Sequence, residues 1–165
     1  AKKIPTHGGS IRVYVSKNRK YKISSSVRKI LKAEKKYLNL KSFEQFKKKV
    51  VLSKLNLYSV LKKLKEKNKI IYGVGAPSRA ATLVNYVGLN EDVLNYILEI
   101  KGSHKIGKYM PGTNIPIIDE KIISKKKPDY LLLLSWHISQ PLIKSFKKKG
   151  FKGKFIIPLP KPRII

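Results

Sequence analysis

Ile70-Ile71-Tyr72-Gly73-Val74-Gly75-Ala76-Pro77-Ser78-Arg79 is the stretch best equipped for chemistry: an apolar run breaks into two closely spaced glycines and a proline, and a helix-forming segment follows. The order reads as strand, tight turn, helix. A helix starting there aims unbonded N–H groups and the positive end of its dipole past the strand, which suits a phosphate or carboxylate. Arg79 adds a cation that can grip a phosphate through paired donors. The same spacing begins a dinucleotide fingerprint, but Ser78 stands where the third glycine belongs. A turn whose glycines merely permit a sharp bend is the competing reading.

Three further groups fall where the same ligand would lie. Glu99 lies near the tip of the expected strand Tyr96-Ile97-Leu98-Glu99-Ile100, at a position where open α/β sheets set an acid against a ribose hydroxyl. The glycine-rich loop from Lys101 to Thr113 contributes Lys105, Tyr109 and Thr113, and a loop of that length in a compact domain is more often functional than decorative. Trp136 and His137 follow the continuous apolar run Tyr130-Leu131-Leu132-Leu133-Leu134. Each has a plainer alternative: Glu99 paired with a lysine, an ordinary loop, a tryptophan in the core. No residue set suggests acid–base or nucleophilic catalysis. The three histidines, His7, His104 and His137, match no metal-ligand spacing, and there is no cysteine for a thiolate, disulfide or zinc site.

The elements that must position these residues follow from bulk properties and periodicity. A chain of 165 residues can bury one α/β core with some appended structure. No apolar run approaches the roughly 20 residues of a membrane helix, so the expectation is a protein that is not membrane-bound and is cytoplasmic. The net charge of +29 invites a nucleic-acid or other polyanion reading, yet only Arg12, Arg19, Arg28, Arg79 and Arg163 among 38 basic residues are arginine. Lysine is spread almost everywhere, which fits compositional bias better than a selected binding face.

In chain order, Ile11-Arg12-Val13-Tyr14-Val15 alternates as a half-buried strand that lacks an evident partner. Ser24-Ser25-Ser26 offers capping hydroxyls to a helix carrying Val27, Ile30 and Leu31, and Ser42 with Gln45 forms a capping box opening a long second helix that runs to Lys67-Asn68. The helix from Ser78 to Tyr86 ends at Gly88. Ile115 to Ile118 is a short extended piece, Asp119-Glu120 opens a helix, Pro141 to Lys149 is another, and Phe155-Ile156-Ile157 is a last strand before Pro158, Pro160 and Pro162 halt regular structure. The expected fold is α/β, Rossmann-like and doubly wound, with a mainly parallel sheet. Its expected parts are an N-terminal strand and linker over 1–22, a helical extension over 23–68, and the Rossmann-like domain over 69–165.

Five segments in series resemble one family: His7-Gly8-Gly9-Ser10-Ile11-Arg12-Val13-Tyr14-Val15; Gly73-x-Gly75-Ala76-Pro77 with Thr82-Leu83-Val84-Asn85-Tyr86; Gly107-Lys108-Tyr109-x-Pro111-Gly112-Thr113; Lys127-Pro128-Asp129-Tyr130 with Trp136; and Phe155-Ile156-Ile157-Pro158-Leu159-Pro160. The family is the C-terminal domain of the S-adenosylmethionine (SAM)-dependent C-methyltransferases acting on nucleotide-linked deoxysugars. The resemblance implies a larger enzyme with a cysteine-ligated zinc module, a central methyltransferase domain holding SAM and the catalytic residues, and this domain on the nucleotide-sugar side. It implies that His7, Ser10 and Arg12 face the junction with the central domain, supplied by the same or a separate chain. It also implies that this chain alone holds no cofactor and does not methylate. Departures stand at Ser78-Arg79-Ala80, where the family has alanine-lysine-glycine, at Glu99 for aspartate and at His137 for asparagine. The alternatives are a stand-alone lysine-rich module binding nucleic acid or another polyanion, and an NAD(P)-binding oxidoreductase, which lacks its third glycine.

Overall fold

In a computed structural model, which describes residues 1–17 and 20–165, the chain divides into two compact units, Ala1–Val50 and Val51–Ile165. In the first unit, β1 (Lys2–Ile4) and β2 (Ser10–Arg12) form an antiparallel pair, with Lys3 opposite Ile11. The strand expected over 11–15 is therefore not an orphan, and it is shorter than its alternation suggests. Its partner lies just upstream because Thr6–Gly8 forms a 3-10 turn that Gly9 closes, its N–H donating to Thr6 O at 2.9 Å. Val13, Tyr14 and Val15 lie beyond the ladder and are exposed.

Helix α1 (Ser25–Tyr37) begins as expected, with Ser24 Oγ accepting from Ser26 N–H. Helix α2 (Leu40–Lys65) starts earlier than the capping box at Ser42 predicts. Asn39 does the capping: its Oδ1 accepts from Ser42 N–H at 3.0 Å while its Nδ2 donates to Lys36 O at 3.0 Å. A short amide can serve the end of one helix and the start of the next, which a serine hydroxyl inside the first turn cannot. The helix ends at Lys65 rather than Lys67-Asn68, where Asn68 turns into positive φ.

The second unit is built on six strands: β3 (Ile71–Val74), β4 (Ile97–Glu99), β5 (Ile117–Asp119), β6 (Tyr130–Leu133), β7 (Lys154–Ile157) and β8 (Arg163–Ile164). Their order is β5-β4-β3-β6-β7-β8, all neighbours parallel except β7 with β8. The sheet winds outward in both directions from β3 and β6, and the crevice between those two strands is the topological switch point. On one face, Leu57, Leu61 and Leu64 of α2 and Ala80, Leu83, Val84 and Val87 of α3 (Ser78–Val87) pack over Ile71, Ile97, Leu132 and Ile156. On the other, Ile143 and Phe146 of α4 (Ser139–Lys148) cover Tyr72, Leu98, Leu131, Leu133 and Phe155. Gly73 sits mid-strand because a Cβ there would stand 2.9 Å from Leu134 Cδ1 and 3.0 Å from Ile97 Cγ1.

Two segments depart from the sequence reading, and a third takes a form within the loop that the sequence shows. The segment after Asp119 is a 3-10 turn, Glu120–Ser124, not an α-helix; Asp119 caps it, and Pro128 leaves too little chain for a longer one. Between β4 and β5 runs the expected glycine-rich loop, and within it residues 107–110 fold back along 115–117 as a hairpin, with Ile117 N–H donating to Lys108 O at 2.8 Å and Tyr109 bridging Pro116. Finally, the prolines after β7 do not end the sheet. The chain returns as β8, pairing Ile156 with Ile164, because the outer edge of β7 would otherwise present unpaired backbone groups. Among the described residues, no helix is long and apolar enough to cross a membrane.

Asp129 ties the start of β6 to the start of β3. Its carboxylate accepts from Ile70 N–H at 2.9 Å and from Lys69 Nζ at 3.0 Å, and the backbone bond foremost holds its pKa below the usual aspartate value. A depressed pKa adds stability above the unfolded-state value near 3.8, and that stability is lost as pH falls through the folded value. Urea midpoints measured from neutral pH downward should show Asp129→Asn less stable than wild type by about 1 kcal/mol at pH 7, a figure kept small by solvent screening of a half-exposed group. The difference should shrink toward zero as the acid limb is descended.

Candidate functional site

The turn after β3 is fixed by close packing. Gly75 has φ of +82°, and a Cβ built on it would lie 2.5 Å from the Oγ of Ser135, a buried residue that follows β6. Two strand ends thus meet with no room for a side chain. Gly75→Ala should cost about 2 kcal/mol or more, part from the left-handed backbone and part from the clash. In a double-mutant cycle followed by thermal unfolding, Ser135→Ala should recover the steric part alone.

Past Gly75, Ala76 is buried and Pro77 stands before the first helical residue, its side chain offering no cap to α3. Ser78 is exposed and Arg79 half-buried, so the first turn of the helix meets solvent with a guanidinium beside it. Arg79 Cζ lies 6.0 Å from the centre of the Trp136 ring, within cation–π range. Trp136 heads a 3-10 turn, Trp136–Ile138, leading into α4, and its ring meets that of His137 edge-on at 6.5 Å. The stacked arginine and tryptophan come from the two sides of the switch point.

Lys105 crosses from the glycine loop to the turn. Its Nζ donates to Ala76 O at 2.8 Å and lies 3.9 Å from Glu99 Oε1. Glu99, at the end of β4, is thus largely covered and lies beside a lysine.

The rest of the loop is held by Asn85 and Asn114, to which the sequence reading gave no part in it, and by Thr113, which it singled out. Asn85 of α3 donates from Nδ2 to Ala81 O and Pro111 O, each at 2.8 Å, and its side chain fills the space that a Cβ at Gly112 would need. Thr113 works within the hairpin tip: its hydroxyl donates to Met110 O at 2.9 Å and accepts from Ile115 N–H at 3.2 Å. Asn114 donates to Glu91, whose carboxyl is held below its usual pKa foremost by its own backbone amide and then by this bond. Tyr109 is exposed. An asparagine facing a glycine across a long sequence gap leaves no local pattern, so only the fold exposes the Asn85–Gly112 contact.

Gly73 packs inside the sheet, and the remaining candidates from Gly75 to Arg79, with Glu99, Lys105, Trp136 and His137, gather at the carboxyl edge of β3, β4 and β6. Of the three junction candidates in the first unit, Ser10 donates from Oγ to Thr6 O at 3.1 Å and Arg12 is exposed on β2. His7 lies in the 3-10 turn, and its side chain is outside the described residues. Among the described residues, no three acidic or histidine side chains are grouped to hold a metal.

A parallel sheet reversing its winding at β3 and β6, with a glycine turn and helix start at that crevice, defines a Rossmann-like α/β domain. The C-methyltransferase C-terminal domain family matches residues 5–160, and the chain belongs to it. The C-methyltransferase NovU of Streptomyces niveus is similar at 35% identity over 100 residues, 59% of this chain. That stretch is only 23% of NovU, so the chain spans a minor part of the relative's length.

The fit of SAM to this unit can be judged from its chemistry. SAM joins a sulfonium cation to an amino-acid carboxylate; Arg79, the helix N-terminus and Lys105 suit the carboxylate as they would any anion and offer nothing to the sulfonium.

Proposed function

We propose that this chain is the substrate-side domain of a SAM-dependent C-methyltransferase, holding a nucleotide-linked sugar while a separate methyltransferase domain, in the same or another chain, supplies the methyl donor. The observation that carries this is the turn Gly75–Arg79 at the switch point, with the Arg79 guanidinium 6.0 Å from the centre of the Trp136 ring. The diphosphate is held by the first N–H groups of α3 and by Arg79, Glu99 accepts a sugar hydroxyl, and Trp136 and His137 border the ligand. Tyr109 and Thr113 sit on the hairpin that walls the site. His7, Ser10 and Arg12 face the partner domain. Alone, the chain performs no methyl transfer, because the methyl donor and the catalytic residues belong to the separate methyltransferase domain. Family membership supports the methyltransferase setting.

Trp136 is the only tryptophan in the chain, so its fluorescence reports on the site directly. Titration with thymidine diphosphate should change that emission and saturate. Emission that does not respond to the nucleotide would remove the reading. The net charge of +29 favours a second one, in which the chain binds nucleic acid through its lysines at large. Affinity would then fall steeply with salt and be indifferent to Arg79.

A further inference from the structure

The anion-holding turn carries an electrostatic liability. The carbonyl of Ala76 and the carboxylate of Glu99 both bring negative charge to the edge of the sheet where Arg79 and α3 would draw in a diphosphate. Both face one ammonium: Lys105 Nζ is 2.8 Å from Ala76 O and 3.9 Å from Glu99 Oε1. Glu99 is mostly covered, its side chain only 14% exposed, so water screens it poorly and the lysine is its evident counter-charge.

We infer that Lys105 is a positioning residue for the anion site: it neutralises Glu99 and occupies the Ala76 carbonyl, so that the turn presents only its donors and Arg79 to a diphosphate. This assigns Lys105 a task different from gripping the substrate, and it rests on the reading of the site as a nucleotide-sugar pocket. The geometry favours it over direct contact, because the Lys105 ammonium is already bonded to the carbonyl and close to the carboxylate. It also explains how a glutamate can stand at the rim of an anion site. The glycine loop is pinned at a second point by Asn85 to Pro111, so Lys105 is delivered by a wall already in place.

The test is calorimetric titration of thymidine diphosphate into four proteins: wild type, Lys105→Met, Glu99→Gln, and the double variant. Thermal unfolding of each confirms that it is folded. Glutamine keeps an acceptor for a sugar hydroxyl and removes only the charge. Lys105→Met should weaken binding about tenfold or more, as expected when a mostly covered carboxylate loses its counter-charge beside an anion. The double variant should return to within about threefold of wild type, a coupling that a double-mutant cycle resolves. Lys105→Arg, which keeps the charge, should bind nearly as wild type.

A double variant as weak as Lys105→Met would show that the lysine grips the diphosphate itself, and would overturn the inference while leaving the pocket intact. Unchanged affinity in Lys105→Met would overturn it as well. If Lys105→Met has lost its fold, Glu99→Gln alone decides: equal or tighter binding of the nucleotide supports the inference, and weaker binding overturns it. Failure of the wild-type protein to bind thymidine diphosphate would instead defeat the underlying reading, and the inference with it.

Discussion

Arg79→Ala should weaken binding of a nucleoside diphosphate by roughly 10- to 100-fold, since a charged hydrogen bond to phosphate is worth about 1.5–3 kcal/mol and each 1.4 kcal/mol is tenfold. The side chain is placed for this. It belongs to the first turn of α3, where backbone N–H groups also point outward, and its guanidinium lies 6.0 Å from the Trp136 ring, which limits its freedom before a ligand arrives. Arg79→Lys should recover only part of the loss, because an ammonium cannot reproduce a two-pronged contact or the stacking on tryptophan. The folded state should be little affected, as a half-exposed arginine that makes no ion pair among the described residues contributes modestly to stability. Fluorescence of Trp136 would follow both the binding and the changed neighbour in one titration.

The second large effect concerns the layer on which the site rests. Leu61→Ala should destabilise the second unit by about 2–5 kcal/mol, because Leu61 is 1% exposed and belongs to the cluster with Leu57, Leu83, Val84 and Leu132. A drop in melting temperature of roughly 5–15 °C would accompany that loss in a chain of this size. Leu55→Ala, six residues away on the same helix, should change stability by about 0.5 kcal/mol or less, since Leu55 is 55% exposed. The contrast separates the face of α2 that roofs the sheet from the face turned to solvent. It also ties the helix to function: α2 and α3 share one layer, so loosening α2 should relax the seat of the anion turn.

The sheet was largely legible because its strands are short apolar runs punctuated by glycine or proline, and because β6, buried on both faces, is continuously apolar over Tyr130-Leu131-Leu132-Leu133. Helix α3 was equally clear, with Gly88 in the left-handed conformation at its end. The failures have a common cause. Residues 2–4 and 163–164 become strands only because a neighbouring edge offers them backbone partners, and pairing between segments leaves no mark on local periodicity. The same holds for the hairpin 107–117, whose order depends on Asn85 reaching Pro111 from another element. At the candidate site, the sequence placed Glu99, Lys105 and Arg79 at one sheet edge. It could not show that Lys105 faces Glu99 and Ala76, nor that Gly75 is required by Ser135.

The measurement that bears most directly on the central claim is calorimetric titration of this chain with thymidine diphosphate and, separately, with SAM. Saturable binding of the nucleotide, lost in Arg79→Ala, together with no binding of the methyl donor, is the expected result. Binding of the donor without the nucleotide would contradict the assignment of this domain to the substrate side.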